Sequence, residues 1–257
     1  MFEKQFNLRY FEMNKFGEAS PLTMAMLLEE TASDHCNSID FGLFDLYAQN
    51  IGWVLIAGFM HIDRYPVFKE KITIRTWMSA FTTTRGYREN IVFDSNNNII
   101  GRSRGLWVFY DTKRKRPVKI FNEIQERWTG SSEICTDYNI DVKLTDAESI
   151  KCRKKFDIYQ YDLDANNHVN NLRYLQWALE TVPEDYFEEK QLSTLDARFI
   201  KEAYYGQSIE SVTLAESENS CFHHRIQNVT TGDLCAAANT AWRERAGVAK
   251  CKVYQFA

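Results

Sequence analysis

The chain contains the same pattern of apolar and polar positions twice. Each copy starts with a short alternating stretch, typical of a strand, and passes through a polar turn into apolar residues at helical spacing. The first of these helices follows Ser20 and Pro21, a good N-cap and a residue suited to the first helical turn. The second follows Asn170, another cap, and ends before Pro183. Longer alternating segments follow both helices and predict antiparallel strands.

Alignment of the two copies indicates an internal duplication. Residues 6–31 and 156–181 align without a gap, at a constant offset of 150 positions. Two copies of a helix followed by antiparallel strands predict an α+β protein whose halves are related by a pseudo-twofold axis. We predict a first domain over residues 1–125 and a second over residues 151–257. Residues 126–150, which contain a polar run, form the predicted linker.

Composition and charge narrow the class of protein. The chain has 257 residues, of which 44% are apolar and 26% charged, so it can bury a sizeable core. A net charge of −4 without a wide basic stripe argues against nucleic-acid binding. The longest nearly unbroken apolar run, residues 51–60, is too short to span a bilayer. Glu3 and Lys4 lie where a secretory signal would be apolar, and six scattered cysteines suggest buried thiols. We therefore expect a cytoplasmic protein without a membrane span.

The two copies differ most in the polar turn before the helix. The second copy carries Asp164, Asn166 and His168, and the first has neither an aspartate nor a histidine at the corresponding positions. In an extended segment these three side chains point to one side. A carboxylate, an amide and an imidazole then converge near a helix N-terminus, which favours developing negative charge. Because histidine titrates near neutral pH, this pattern indicates an acid/base site in the second half alone.

Spacing alone leaves two other interpretations open. The string DLDANNH begins like a calcium-binding EF-hand loop, but its sixth position is Asn167 rather than glycine and its twelfth is Arg173 rather than glutamate. Aspartate and asparagine also commonly satisfy turn and cap hydrogen bonds. In that case His168 is an ordinary half-buried ring.

A longer stretch of the second half carries a family resemblance. The string DLDANNHVNNLRYLQWALE, followed by FIKEAYYGQ, resembles the acyl-acyl carrier protein thioesterases of plants and their bacterial relatives. The resemblance covers nearly the whole chain, including RYFE at 9–12 and the pair Arg116 and Pro117. It implies a tandem hotdog fold, in which each half wraps an antiparallel sheet around its long helix. It also implies hydrolysis of fatty acyl thioesters on acyl carrier protein during fatty acid biosynthesis, without a cofactor or metal.

The resemblance also implies which side chains are catalytic. The family's aspartate, asparagine, histidine and glutamate map onto Asp164, Asn166, His168 and Glu202. In the repeat, Glu202 corresponds to Tyr65, so the first half lacks this acid as well. Plant members have a cysteine directly after the glutamate, whereas this chain has alanine there, so we expect no thiol nucleophile.

The expected mechanism assigns a role to each of these side chains. Water attacks the thioester carbon, with Glu202 as the base, directly or through His168. Asp164 holds the imidazole in one tautomer. The Asn166 amide and backbone N–H groups at the start of the helix bind the oxyanion. Direct attack by Glu202 through an anhydride stays open.

Substrate recognition is expected to involve both halves. The resemblance places the acyl pocket in the first half, where Met24, Met26, Leu27 and Trp53 are available, although most of these are typical core residues. Basic runs occur at 113–116 and 151–155, and either could dock an acidic acyl carrier protein that bears a phosphopantetheine-linked acyl chain. A solvated surface explains these runs equally well.

Two alternative functions follow from the same pattern. An acyl-CoA thioesterase performs the same chemistry on a different carrier. A non-catalytic acyl-binding hotdog protein keeps the fold without the reaction.

Overall fold

The structure, a computed structural model, describes residues 1–128, 131–144, 149–215 and 220–245. Part of the predicted linker and the last twelve residues of the predicted second domain, with Cys251, lie outside these ranges. The division into domains therefore stays a prediction. No helix among the described residues is long and apolar enough to cross a membrane.

The described residues form five α-helices, eleven strands and two short 3₁₀ helices, Tyr10–Glu12 and Gln160–Asp162. The helices are α1 (Pro21–Asn37), α2 (Leu43–Ala48), α3 (Asn122–Arg127), α4 (Asn171–Leu179) and α5 (Glu184–Glu189). The strands are β1 (Phe2–Asn7), β2 (Ile51–Ile62), β3 (Lys71–Phe81), β4 (Arg85–Phe93), β5 (Ile99–Asp111), β6 (Arg116–Pro117), β7 (Ile150–Asp157), β8 (Lys190–Phe199), β9 (Ser208–Ala215), β10 (Cys221–Asn228) and β11 (Leu234–Glu244).

The two long helices begin where the sequence predicts. The Ser20 side chain accepts a hydrogen bond of 3.0 Å from the backbone N–H of Thr23, and Pro21 is the first residue of α1. The Asn170 side chain accepts one of 2.9 Å from the backbone N–H of Leu172 at the start of α4. Each cap satisfies a backbone donor that has no partner inside its helix. Both predicted helix starts are confirmed.

The strands join into one antiparallel sheet whose order reads the same from both ends. That order is β1-β3-β4-β5-β2-β8-β11-β10-β9-β7, with β6 paired to β5. Counted from the two ends of the sheet, β7 of the second half corresponds to β1 of the first, β9 to β3, β10 to β4 and β11 to β5. The two halves meet where β2 pairs with β8, at Phe59 opposite Asp196. This is the pseudo-twofold arrangement that the duplication predicts, and the chain has the predicted α+β tandem hotdog fold.

The helices of both halves share one core on one face of the sheet. Met24 and Leu27 of α1 lie in the same buried cluster as Leu175 and Leu179 of α4, together with strand residues from both halves. Burial of each such side chain contributes about 1.5–3 kcal/mol. Each long helix therefore buries part of its apolar surface together with residues of the other half.

The segment between the halves covers the opposite face of the sheet. The Tyr138 ring stacks on Phe59 with centroids 4.0 Å apart, and its hydroxyl donates to the Asp196 carboxylate. Ile140 packs beside them and is 1% exposed. Because Phe59 and Asp196 belong to the strands that join the halves, this segment fixes the joint from the side away from the helices.

Candidate active site

The turn before α4 is held by one side-chain oxygen. Asp164 Oδ1 accepts hydrogen bonds from the backbone N–H groups of Asn166, at 2.8 Å, and His168, at 3.2 Å. The backbone N–H of Asp164 donates to the His168 carbonyl at 2.8 Å, and Asn167 has a φ of 62°. The sequence analysis assumes an extended segment here, and that assumption is wrong. The aspartate oxygen binds the backbone donors locally and closes a tight turn.

The first half contains the same turn. Asn14 Oδ1 accepts from the backbone N–H groups of Phe16, at 2.9 Å, and Glu18, at 3.2 Å. Gly17 has a φ of 75°, which matches the left-handed residue of the second turn. Every one of these positions lies 150 residues before its counterpart. The turn is therefore a part of the duplicated scaffold, and its chemistry depends on which side chains it carries.

In each half, the loop after the strand at the joint, β2 or β8, is hydrogen-bonded to the turn. The backbone N–H of Val169 donates to the Ala203 carbonyl at 3.0 Å, and the N–H of Ala19 donates to the Pro66 carbonyl at 2.8 Å. These equivalent bonds bring the preceding residues, Glu202 and Tyr65, to equivalent places. The predicted correspondence of Glu202 with Tyr65 is thus confirmed.

His168 and Glu202 meet directly. His168 Nδ1 lies 3.3 Å from Glu202 Oε1, and the Tyr204 hydroxyl donates to Glu202 Oε2 at 2.8 Å. The Tyr204 ring also lies edge-on to the imidazole, with ring centroids 5.3 Å apart. Burial and the Glu202 carboxylate raise the pKa of Tyr204 to about 12, so this hydroxyl keeps its proton and remains a donor. The side chain of Glu202 is 41% exposed, which leaves the pair open to a substrate and to water.

Asp164 and Asn166 contact each other instead of the ring. The Asn166 side-chain amide donates to Asp164 Oδ2 at 3.3 Å, and Asn166 is exposed. The expectation that Asp164 orients the imidazole is not met, because the carboxylate found against the ring is that of Glu202. Asp164 is occupied with the backbone of its own turn. The structure thus brings the four predicted side chains close together, but their contacts differ from those that the sequence analysis expects.

Tyr174 fixes the loop that carries Glu202, and the sequence analysis does not single it out. Its hydroxyl, on α4, accepts a 3.0 Å hydrogen bond from the backbone N–H of Ala203. Both residues are buried, and burial raises the pKa of the Tyr174 phenol. The helix therefore holds the residue next to Glu202 in place. The available signal was a tyrosine on the buried face of a helix, which needs a partner for its hydroxyl.

Glu29 of α1 is a second side chain that sequence reasoning missed. Loss of hydration raises the pKa of its carboxyl to about 7, and repulsion by the Asp164 carboxylate adds to this shift. Because Asp164 belongs to the turn before α4, this repulsion links Glu29 of the first half to the turn of the second. The signal in the sequence was the repeat, which sets Glu29 opposite the apolar Leu179.

The structure separates the two basic runs. The first forms the turn after β5, where Lys115 Nζ lies 3.9 Å from Glu202 Oε2. The second lies on β7, where Lys154 lines a cavity of about 540 Å³ beside the turn of the first half. Only the first run therefore lies beside the pair of His168 and Glu202.

The residues predicted for the acyl pocket have mixed surroundings. Met24 and Leu27 are fully packed in the shared core, whereas Met26 is exposed. Trp53 packs against Phe109 at 4.8 Å between ring centroids. None of the four lines the cavity of about 540 Å³ or a second cavity of about 460 Å³ on the sheet. The position of an acyl pocket in the first half stays a prediction.

Two other histidines are structural. His224 is buried and bonds the hydroxyls of Thr213 and Thr240 at 2.8 and 2.9 Å, and burial lowers its pKa to about 3. Burial and the neighbouring Arg88 also lower the pKa of His35 to about 3. Within the described ranges, no group of three or more His, Cys, Asp or Glu side chains is arranged to hold a metal ion.

Comparison with family models places both halves of the chain in one family. Residues 1–128 match the model of the acyl-ACP thioesterase N-terminal domain, and residues 145–244 match that of the acyl-ACP thioesterase C-terminal domain. Among curated proteins, the palmitoyl-acyl carrier protein thioesterase of Cuphea hookeriana is 26% identical over 96% of the chain. That of Gossypium hirsutum is 28% identical over 95%. The chain spans 63% and 64% of the length of these two relatives.

Solved structures show the same fold. The 12:0-ACP thioesterase from Umbellularia californica superposes with a TM-score of 0.82 at 23% identity, covering 95% of this chain and 97% of that one. An acyl-ACP thioesterase from Bacteroides thetaiotaomicron gives a TM-score of 0.79 at 20% identity, covering 94% and 97%.

Substitution of Tyr174 tests whether the helix fixes the Glu202 loop. Tyr174→Phe leaves the buried N–H of Ala203 without its acceptor, so we expect the free energy of unfolding to fall by about 1–3 kcal/mol. Urea unfolding at pH 7 measures this, with Tyr159→Phe, an exposed tyrosine, as the control within about 0.5 kcal/mol of wild type. Equal stability of Tyr174→Phe and wild type would contradict the role given to this hydroxyl.

Proposed function

The chain belongs to the acyl-ACP thioesterase family, and on that basis we propose that it hydrolyses fatty acyl-acyl carrier protein thioesters to free fatty acid and carrier protein. The observation that carries this proposal is the contact of His168 Nδ1 with Glu202 Oε1, at 3.3 Å. An imidazole held by a carboxylate is the arrangement that activates water near neutral pH. The equivalent position of the first half has Glu18 and Tyr65, so one site per chain is proposed.

The base in this proposal is Glu202, acting directly on water or through His168. Tyr204 donates to one carboxylate oxygen and His168 contacts the other, so the carboxyl group is oriented from both sides. Water that lies between the imidazole and the thioester carbon loses its proton to this pair as it attacks. General base catalysis of this kind contributes about 10²–10⁴-fold in rate.

The oxyanion donor in this proposal is the Asn166 amide. Several backbone N–H groups around the turn already donate to acceptors within the fold and are not available to an oxyanion. They belong to Asn166, His168, Val169, Asn170 and Leu172. The Asn166 side chain is exposed at the same turn and bonds Asp164 at the long distance of 3.3 Å. It can exchange that bond for a stronger one to a developing oxyanion.

The proposed carrier surface is the basic turn at 113–116. Its Lys115 lies 3.9 Å from Glu202, so an acidic carrier protein docked there delivers its phosphopantetheine arm to the site. The phosphates of coenzyme A would meet the same charges, and an acyl-CoA thioesterase is therefore the alternative. The orientation of His168 and Glu202 favours either hydrolase over a non-catalytic acyl-binding protein.

The proposed compartment is the cytoplasm. Cys36, Cys135, Cys152 and Cys235 are free thiols, which supports a reducing environment.

Removal of the proposed base should slow turnover without preventing substrate binding. Glu202→Gln keeps the size of the side chain, so we expect kcat on an acyl-carrier substrate to fall by about 10²–10⁴-fold, with KM within a few-fold of wild type. Steady-state kinetics measures both, and the exposed acid Glu123, changed to Gln, is the control. A wild-type kcat in Glu202→Gln would remove the proposed base.

Substitutions of Asp164 separate a turn-forming role from a chemical one. Because Asn14 holds the equivalent turn, Asp164→Asn should keep kcat within about 10-fold of wild type. Asp164→Ala loses the acceptor, and we expect it to lower the free energy of unfolding by about 1 kcal/mol and kcat further. Asn14→Ala is the matched control, with the same loss of stability and an unchanged kcat. Equal kinetic damage from Asn and Ala at position 164 would instead assign a role to the charge.

Charge reversal at the basic turn tests the docking surface. Arg114→Glu with Arg116→Glu should raise KM for an acyl-carrier substrate about 10-fold or more and leave KM for an acyl-pantetheine thioester unchanged. The double change Lys154→Glu with Lys155→Glu, in the other basic run, is the control and should alter neither KM. Equal effects on both substrates would refute docking at this turn.

A further inference from the structure

The pseudo-twofold relation places each long helix beside the turn of the other half. Leu179, the last residue of α4, lines the cavity of about 540 Å³ together with Asn14, Glu18 and Tyr65 of the first half. These three residues are the counterparts of Asp164, His168 and Glu202. The counterpart of Leu179 is Glu29 on α1. By the same relation, Glu29 is expected to face the turn that carries His168.

The pKa of Glu29 also connects this side chain to the turn before α4, without use of the alignment. The charge that acts on its carboxyl is that of Asp164, and this repulsion adds to the loss of hydration that raises its pKa to about 7. The next acids on α1 face elsewhere, since Glu30 and Asp34 bind Lys4 at 3.0 and 2.6 Å. Glu29 is only half-buried, so part of its side chain remains accessible. A carboxyl in these surroundings holds its proton in a large fraction of molecules at neutral pH.

We propose that Glu29, supplied by the helix of the first half, is a fifth side chain of the active site and protonates the sulfur of the departing thiol. This rests on the thioesterase function proposed above. Glu202 and His168, from the second half, remove a proton from water. Glu29, from the first half, supplies one to the leaving group, so the two halves contribute opposite parts of the acid/base chemistry.

The proton balance of this step closes. When the tetrahedral intermediate collapses, the bond between carbon and sulfur breaks and its electron pair goes to sulfur. The proton of the Glu29 carboxyl moves to that sulfur, which gives the free thiol and the Glu29 carboxylate. The proton that Glu202 or His168 took from water then returns to Glu29 through solvent. The sum is thioester plus water giving carboxylic acid plus thiol.

The test compares leaving groups of different acidity. A fatty acyl-pantetheine thioester expels an alkyl thiolate, which benefits from protonation, whereas the matched thiophenol thioester expels a thiolate that is stable without a proton. We expect Glu29→Gln to lower kcat/KM on the pantetheine thioester about 100-fold and to leave the thiophenol thioester within a few-fold of wild type. Glu30→Gln, one position along the same helix, should change neither.

The rates of Glu29→Gln on the two thioesters distinguish failure of this proposal from failure of the proposed function. An equal loss on both thioesters would overturn the proposal, because it would show that Glu29 acts on structure or on the attack step. Wild-type rates on both would overturn it as well. Inactivity of the wild-type protein on both substrates would refute the proposed function itself, which is a different result from a variant that matches an active wild type.

A second variant guards against a folding defect. Glu29→Asp keeps an ionisable proton on a side chain shorter by one methylene, and it should fall between wild type and Glu29→Gln on the pantetheine thioester alone. If Glu29→Gln has a lowered melting temperature, this variant decides: selective loss on the pantetheine thioester supports the proposal, and equal loss on both contradicts it.

Discussion

One side-chain oxygen that binds two backbone N–H groups is the interaction on which the rest of the site depends. Asp164 makes it in the second half and Asn14 in the first. It closes the turn that leads into the long helix, and the closed turn leaves the N–H of Val169 free to bond the loop of Ala203. That bond in turn sets Glu202 against His168. Without the turn there is no fixed distance between imidazole and carboxylate.

The same scaffold carries different side chains in the two halves. Where the second half has a half-buried imidazole and an exposed carboxylate, the first has Glu18 and Tyr65. Glu18 binds Arg245 at 2.5 Å and Gln191 at 3.0 Å, and Tyr65 is 3% exposed. The first turn is thus tied into the second half by an ion pair, and its Glu18 carboxylate is occupied by that pair. The two halves share the backbone geometry of the turn. Differences at a few positions give the first turn an ion pair and the second the pair of His168 and Glu202.

Local order was predictable from the sequence, whereas contacts between distant residues were not. The caps at Ser20 and Asn170, the pseudo-twofold relation of the halves and the correspondence of Glu202 with Tyr65 follow from signals a few residues apart or from the repeat. The extended form assumed around Asp164 was wrong because alternation of polar residues does not distinguish a strand from an aspartate-closed turn. The family resemblance supplied the side chains of the candidate site, and their division of labour required the structure. The position of Lys115 beside that site and the effect of Asp164 on Glu29 depend on how the two halves pack, which no local pattern contains.

The most direct test of the account is a crystal structure of the protein with a non-hydrolysable acyl-pantetheine analogue, because its central claim is that the reacting carbonyl binds at only one of the two equivalent turns. The account predicts the carbonyl carbon of the analogue about 3–4 Å from a water or carboxylate oxygen of the His168 and Glu202 pair. An analogue whose carbonyl lies instead in the cavity beside Glu18 and Tyr65, with the His168 ring turned away from Glu202, would contradict it.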